Sequence, residues 1–311
     1  MTMLKHPGLA LICASALFTA HPVQAAPPVP QVEVLDTVTL GEPRIDGLKI
    51  AELSGLAHDP KTGRLYAVSD KGRLFGFALD VTGGKLVRLE PMSGHNLVAA
   101  KGALMNDQGF NAEDIALAED GTLLIVSETG PRIARFSITG TWLEDLAVPA
   151  ALRDPATQRS PKDGLESLAL HPSLGLLTAP EEPLAARTRT THTLYAQSGG
   201  QLSYDTSAIG STSIKAMTAL PDGRLMILER DVGPDGGLIT WLRALDPAHC
   251  VSGQLCPTQA AKVTLAGVSD ADFEGLVYLA EGLFLIVSDD KIGKDHRSIF
   301  ALLKLLPMST N

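Results

Sequence analysis

One segment recurs along this chain, and recurrence at a near-constant spacing limits a fold more than any single motif does. Five pieces align: Glu52-LSGLAHDPKTGRLYAVS-Asp70, Glu113-DIALAEDGTLLIVS-Glu128, Glu166-SLALHPSLGLLTAP-Glu181, Met217-TALPDGRLMIL-Glu229 and Glu274-GLVYLAEGLFLIVS-Asp289. Each reads as a short apolar strand, a polar turn usually containing Gly, and a second apolar strand that ends in a carboxylate. Their starts lie 61, 53, 51 and 57 residues apart, the period of a propeller blade or a kelch-like unit.

The intervening sequence supplies two more strands per unit. In the second unit Glu113 to Ala118, Thr122 to Val126, Ile133 to Ile138 and Trp142 to Val148 are separated by Asp-Gly, Gly-Pro and Gly turns, which is the hairpin signal. No comparable stretch repeats its apolar residues at the 3.6-residue helical period. The fold class is therefore all-β, a β-propeller of five four-stranded blades. The last unit has room for only three strands, Glu274 to Tyr278, Leu283 to Val287 and Ser298 to Leu305, so Val32 to Leu40 is expected to supply its fourth and close the ring. Six blades is the alternative, if Pro91 to Gly109 hides an extra short one.

Composition narrows the setting. Of 311 residues, 45% are apolar, which suits a packed core, and 35 Asp and Glu against 26 Lys and Arg disfavour a nucleic-acid partner, which would need a basic face. Residues 1–25 read as a signal peptide: one Lys, an apolar stretch from Gly8 to Ala20, and Val23-Gln24-Ala25 before Ala26. Residues 26–311 are then a single domain, its net charge changed from −9 to −10 because Lys5 is the only charged side chain removed. No later stretch reaches the roughly 18 to 20 apolar residues of a membrane span. A periplasmic or secreted monomer is expected, with Cys250 and Cys256 joined as a disulfide.

The candidate site lies in two carboxylate series. Glu52, Glu113, Glu166 and Glu274 open the innermost strands; Asp70, Glu128, Glu181, Glu229 and Asp289 end the strands beside them. Antiparallel pairing brings both series to one face around the axis, where they would repel one another unless neutralised. A hard cation such as Ca²⁺, which takes six to eight oxygen ligands, would do so. So would pairing with Lys71, Arg73, Arg132, Arg230 or Lys291, and so would hydrogen bonds from backbone amides that hold blades together. His58 and His171 follow the first strands of their repeats and read as turn residues. Neither a nucleophile elbow nor S-x-x-K, a Walker loop or a dinucleotide fingerprint occurs.

At the same cores the sequence resembles the phytase-like family, "esterase-like activity of phytase". The matching pieces are LSGLAHDPKTGRLYAVSDKGRL, NAEDIALAEDGTLLIVSETGPRIARFSITG, DGLESLALHPSLGLLTAPEEPL, LSYDTSAIGSTSIKAMTALPDGRLMILERD and DADFEGLVYLAEGLFLIVSDDK. The resemblance runs from about Ile50 to Leu305 and implies an exported bacterial propeller that cleaves esters. Glu113, Glu128, Glu166, Glu181, Glu229, Glu274, Asp289, Arg132 and Arg230 match its pattern; the loop after Glu181-Glu182 and the stretch from Val232 to Gly237 are shorter than it. The expected activity is hydrolysis of a small phosphoester or other ester, with the carboxylates holding Ca²⁺ and Arg132, Arg230 and Lys291 holding an anionic substrate. The rival expectation is a non-catalytic propeller that binds a protein, glycan or envelope component.

Overall fold

The computed structural model describes residues 31–41, 43–266, 268, 271–289 and 297–306. Strand β1 (Gln31–Thr39) precedes a two-residue hairpin, β2 (Arg44–Ile45) and β3 (Leu48–Lys49). The first blade is β4 (Leu53–Asp59), β5 (Arg64–Ser69), β6 (Arg73–Thr82) and β7 (Lys85–Asn96). The second is β8 (Ala112–Leu117), β9 (Leu123–Ser127), β10 (Arg132–Phe136) and β11 (Trp142–Leu146). The third is β12 (Leu165–His171), β13 (Gly175–Pro180), β14 (Thr191–Ala196) and β15 (Gln201–Asp205). The fourth is β16 (Ser213–Ala219), β17 (Leu225–Val232), β18 (Leu238–Leu245) and β19 (Thr258–Val263). The fifth is β20 (Asp272–Ala280), β21 (Leu283–Asp289) and β22 (Ile299–Leu306), completed by β1 in the order β1-β22-β21-β20.

Five antiparallel four-stranded sheets thus form the ring, with the ends of the chain sharing one blade as the strand count requires. The stretch from Pro91 to Gly109 adds no sixth blade: it finishes β7 and then runs as a connection carrying isolated bridges from Val98 to Leu104 and Thr141. Residues 56–58, 115–117, 168–170, 217–219 and 276–278, three from each innermost strand, line an axial cavity of about 180 Å³. Between each pair of neighbouring blades lies a separate apolar cluster, for example Leu97, Phe110, Ile125 and Phe136 between the first and second. Stability is therefore spread over five interfaces, each made by alternate residues of two sheets.

The Cys250–Cys256 disulfide is present. Its loop is fastened to the third blade by the Cys256 N–H, which donates to the Ser203 carbonyl at 2.7 Å. His171 serves its turn as expected: Nδ1 accepts from the Ser173 and Leu174 amides, and Nε2 lies 2.7 Å from the Gly223 carbonyl of the next blade. Among the described residues no helix is long and apolar enough to cross a membrane. The expected signal peptide lies outside the described residues.

Candidate functional site at the blade tops

Each innermost strand carries a β-bulge one or two residues after its start. Pairing jumps from Leu53 to Gly55, Ala112 to Asp114, Leu165 to Ser167, Ile214 to Ala216 and Phe273 to Gly275. A bulged residue is left out of the ladder and its side chain is re-aimed. Here those residues are Ser54, Glu113, Glu166, Lys215 and Glu274, one per blade around the axis.

This register departs from the carboxylate alignment in two blades. In the first, the residue equivalent to Glu113 is Ser54, and Glu52 precedes the strand at a positive φ of 52°, bonded to Lys71 at 3.1 Å. In the fourth it is Lys215, not Met217. The neighbouring strand slides as well: Glu229 pairs with Ile214 as Ser69, Ser127, Pro180 and Ser288 pair in the other blades, so Arg230 is the counterpart of Asp70, Glu128, Glu181 and Asp289. The fourth blade thus puts a base at both positions where most other blades put an acid.

The two bases neutralise part of the ring. Lys215, 4% exposed, bonds Glu166 closely and reaches Glu181 at 3.1 Å and Glu274 at 3.2 Å. Burial alone would lower its ammonium; the charges of Glu166, Glu274 and Glu181 outweigh that and hold it well above the ordinary lysine value. Arg230 donates Nη1 to Asp272 at 2.6 Å and Nη2 to Glu181 at 2.8 Å. Asn111 donates Nδ2 both to Glu113 and, at 2.8 Å, to Glu128.

The acids still outnumber the bases, and their carboxyls respond. Burial, then the Glu274 charge, pushes Glu113 well above the carboxylate range, against the opposing pull of Lys215. Burial does the same to Glu166 even beside Lys215, and raises Glu128 despite the Asn111 hydrogen bond. Oxygens of Glu128, Glu166 and Glu181 come within 4.8 Å of one another, a donor set of hard oxygens suited to a hard cation. Gly164 makes room for Glu128: a Cβ there would lie 2.6 Å from the Glu128 carbonyl and 2.7 Å from its Cγ. Gly164→Ala is expected to cost about 1 to 3 kcal/mol, read by urea denaturation, because backbone on both sides must move.

Other expected site residues are placed elsewhere. Glu229 is fully buried at the interface of the third and fourth blades, gripped by Arg243 through Nε at 2.7 Å and Nη2 at 2.9 Å and by the Tyr204 hydroxyl at 2.7 Å. His192 stacks on that Tyr204 ring. Arg132 is held by Asp145 of its own blade at 2.8 Å and lies over the Phe110 ring. Asp70 and Asp289 are buried at the strand ends of the first and fifth blades. Lys291 lies outside the described residues.

The interblade carboxylate bonded to backbone amides also exists, in a residue the repeat alignment passed over. Asp114, fully buried, accepts from the amides of Ile115 at 2.8 Å and Leu168 at 2.9 Å, with the Met217 amide also in reach. Three inner strands are tied through one side chain beside the axis. Burial nevertheless raises its carboxyl well above the usual range, against the pull of those amides. Gly55 accommodates it, since a Cβ there would lie 2.6 Å from the Asp114 Cα.

The family described as "Phytase-like: Esterase-like activity of phytase" matches residues 49–292. No curated protein matches the sequence. Among solved structures, a streptogramin B lyase is similar over 89% of this chain and 98% of its own, at 10% identity and a TM-score of 0.39. Virginiamycin B lyase from Staphylococcus aureus is similar over 87% and 99%, at 10% identity and a TM-score of 0.42. Likeness at that level carries no chemistry from them to this chain.

Proposed function

Because the chain belongs to the phytase-like family, we propose that it is an exported monomeric hydrolase of a small phosphoester or other ester, working with a divalent cation on its acidic face. The observation that carries this reading is the convergence of Glu128, Glu166 and Glu181 where positive charge is in deficit. Those three residues would hold the cation, with Ca²⁺ the first candidate for an all-carboxylate set. When bound, it supplies a Lewis acid that polarises the ester oxygen and acidifies a water.

The chain's own groups do the rest. Arg230, its side chain 26% exposed, offers a guanidinium to an anionic substrate. Lys215 is too deeply buried to touch one, and instead holds Glu166, Glu181 and Glu274 together. Asn111 fixes Glu113 and Glu128 relative to each other. Arg132, engaged by Asp145, is given no part in the anion's grip. The disulfide and the N-terminal sequence support export to an oxidising compartment.

A binding propeller is the second reading, favoured by the internal ion pairs through which Lys215 and Arg230 already satisfy four carboxylates. A hydrolysis screen over phosphate and carboxylic esters, with Ca²⁺ and with chelator, separates the two. Turnover is expected with Ca²⁺ and lost in excess chelator; turnover unchanged by chelator removes the cation, and none on any substrate favours the binder. Glu166→Gln should weaken Ca²⁺ by about tenfold or more, measured by calorimetry, an effect on the scale of disturbing a site's supporting residues or larger. Ca²⁺ affinity should rise with pH, because protons on the raised carboxyls of Glu166 and Glu128 compete with the ion.

A further inference from the structure

One carboxylate in this cluster faces two demands. Glu181 belongs to the converging triad, yet its Oε1 also accepts from Lys215 Nζ at 3.1 Å and from Arg230 Nη2 at 2.8 Å. A divalent ion bound by Glu181 draws on the same negative charge and repels a guanidinium beside it. Arg230 would not leave the face when that happens. Its Nη1 is anchored at 2.6 Å by Asp272, which is 4% exposed and sits on the adjoining fifth blade. The other oxygen of that anchor, Asp272 Oδ1, is buried with no hydrogen-bond partner among the described residues, an acceptor next to the guanidinium that remains unsatisfied.

We propose that Glu181 is a positioning residue that couples the two halves of the site: a divalent cation draws Glu181 away from Arg230, and the freed Nη2 then grips a phosphoryl-type oxyanion. This rests on the cation-dependent reading above. Before the cation arrives, Glu181 blocks the guanidinium and the anion binds weakly. After it, the Asp272-anchored guanidinium presents a free N–H edge. The coupling is reciprocal by linkage, so the anion tightens the cation by the same factor. The fourth blade's exchange of acid for base therefore gives the ring a cation pole at the second and third blades and an anion pole at the fourth.

Calorimetric titration of the full protein with phenylphosphonate, a non-hydrolysable phosphoryl probe, tests this with and without saturating Ca²⁺. The wild type is expected to bind the probe about tenfold or more tightly with Ca²⁺, within the usual range of coupling between two sites. Glu181→Gln should bind it more tightly than wild type without Ca²⁺, and at Ca²⁺ concentrations saturating for the variant the further gain should shrink to about threefold or less. Arg230→Gln should lose the probe under both conditions while still binding Ca²⁺. If Ca²⁺ binds but leaves probe affinity unchanged, or if Glu181→Gln keeps weak cation-free binding and the full gain, the coupling is overturned while the cation site stands. If the wild type binds no Ca²⁺, both fall.

Discussion

Replacing Lys215 by Met should destabilise the protein by about 3 to 5 kcal/mol near neutral pH, the usual cost of removing one partner from a buried ion cluster. Glu166, Glu181 and Glu274 would lose the ammonium they share, in a place where solvent cannot replace it. The loss should depend on pH in a definite direction. Burial already holds the folded Glu166 carboxyl above its unfolded value, and removing Lys215, which lowers it, raises it further. A group raised in the folded state stabilises fully below its unfolded pKa, about 4.3, and that stability is lost as pH rises through the folded value. The variant should therefore lie close to wild type near pH 4 and fall progressively below it towards pH 8. Urea denaturation at several pH values measures this. A deficit constant with pH would mean that Lys215 acts through packing rather than charge. Added Ca²⁺ should restore part of the stability, since a bound ion replaces the missing charge.

The second large effect belongs to the other buried pair. Arg243→Met leaves Glu229 fully buried against Tyr204 without its guanidinium, again at about 3 to 5 kcal/mol. The double variant Arg243→Met with Glu229→Met should recover most of that, because two apolar side chains replace two desolvated charges. Tyr204→Phe should cost about 1.5 to 3 kcal/mol, the range for a hydrogen bond to a charged group. Glu229→Gln should also leave Ca²⁺ affinity unchanged, since the carboxylate faces the blade interface and not the axial cluster. A fall in affinity on that substitution would return Glu229 to the site.

The propeller is legible in the sequence because its physics is local and repeated. Short apolar runs, Asp-Gly and Gly-Pro turns and a final unit one strand short suffice to give five blades and their closure. Site register is harder to read because it depends on the bulge. One unpaired residue after each strand start shifts which side chain reaches the axis, and an alignment anchored on carboxylates then takes Glu52 for Ser54 and passes over Lys215 altogether. The clue was present in Ile214-Lys-Ala-Met, which matches Leu165-Glu-Ser-Leu and Phe273-Glu-Gly-Leu once apolar positions rather than charges are aligned. The same shift moves Glu229 off the face and Arg230 onto it. Asp114 escaped because only the second blade carries an acid at its position; the others have Gly55, Ser167, Ala216 and Gly275.

The pairing of β1 with β22 makes the ring a polymer loop whose closure spans nearly the whole folded chain, with Gln31 against Leu306 and Thr39 against Ile299. Chain entropy charges little extra for that reach: the logarithmic part is about 5 kcal/mol for a few hundred residues and grows only by about 0.6 kcal/mol on each doubling. The kinetic demand is heavier. Until Ile299 to Leu306 has been delivered, β1 has no partner strand, and the apolar cluster joining Leu35 and Val38 to Phe77, Phe300 and Leu302 cannot assemble. A partly delivered chain is an open arc with an apolar flank at each end, the kind of species that associates with its neighbours. The eight residues of the final strand thus act as a clasp that joins the two flanks of the arc.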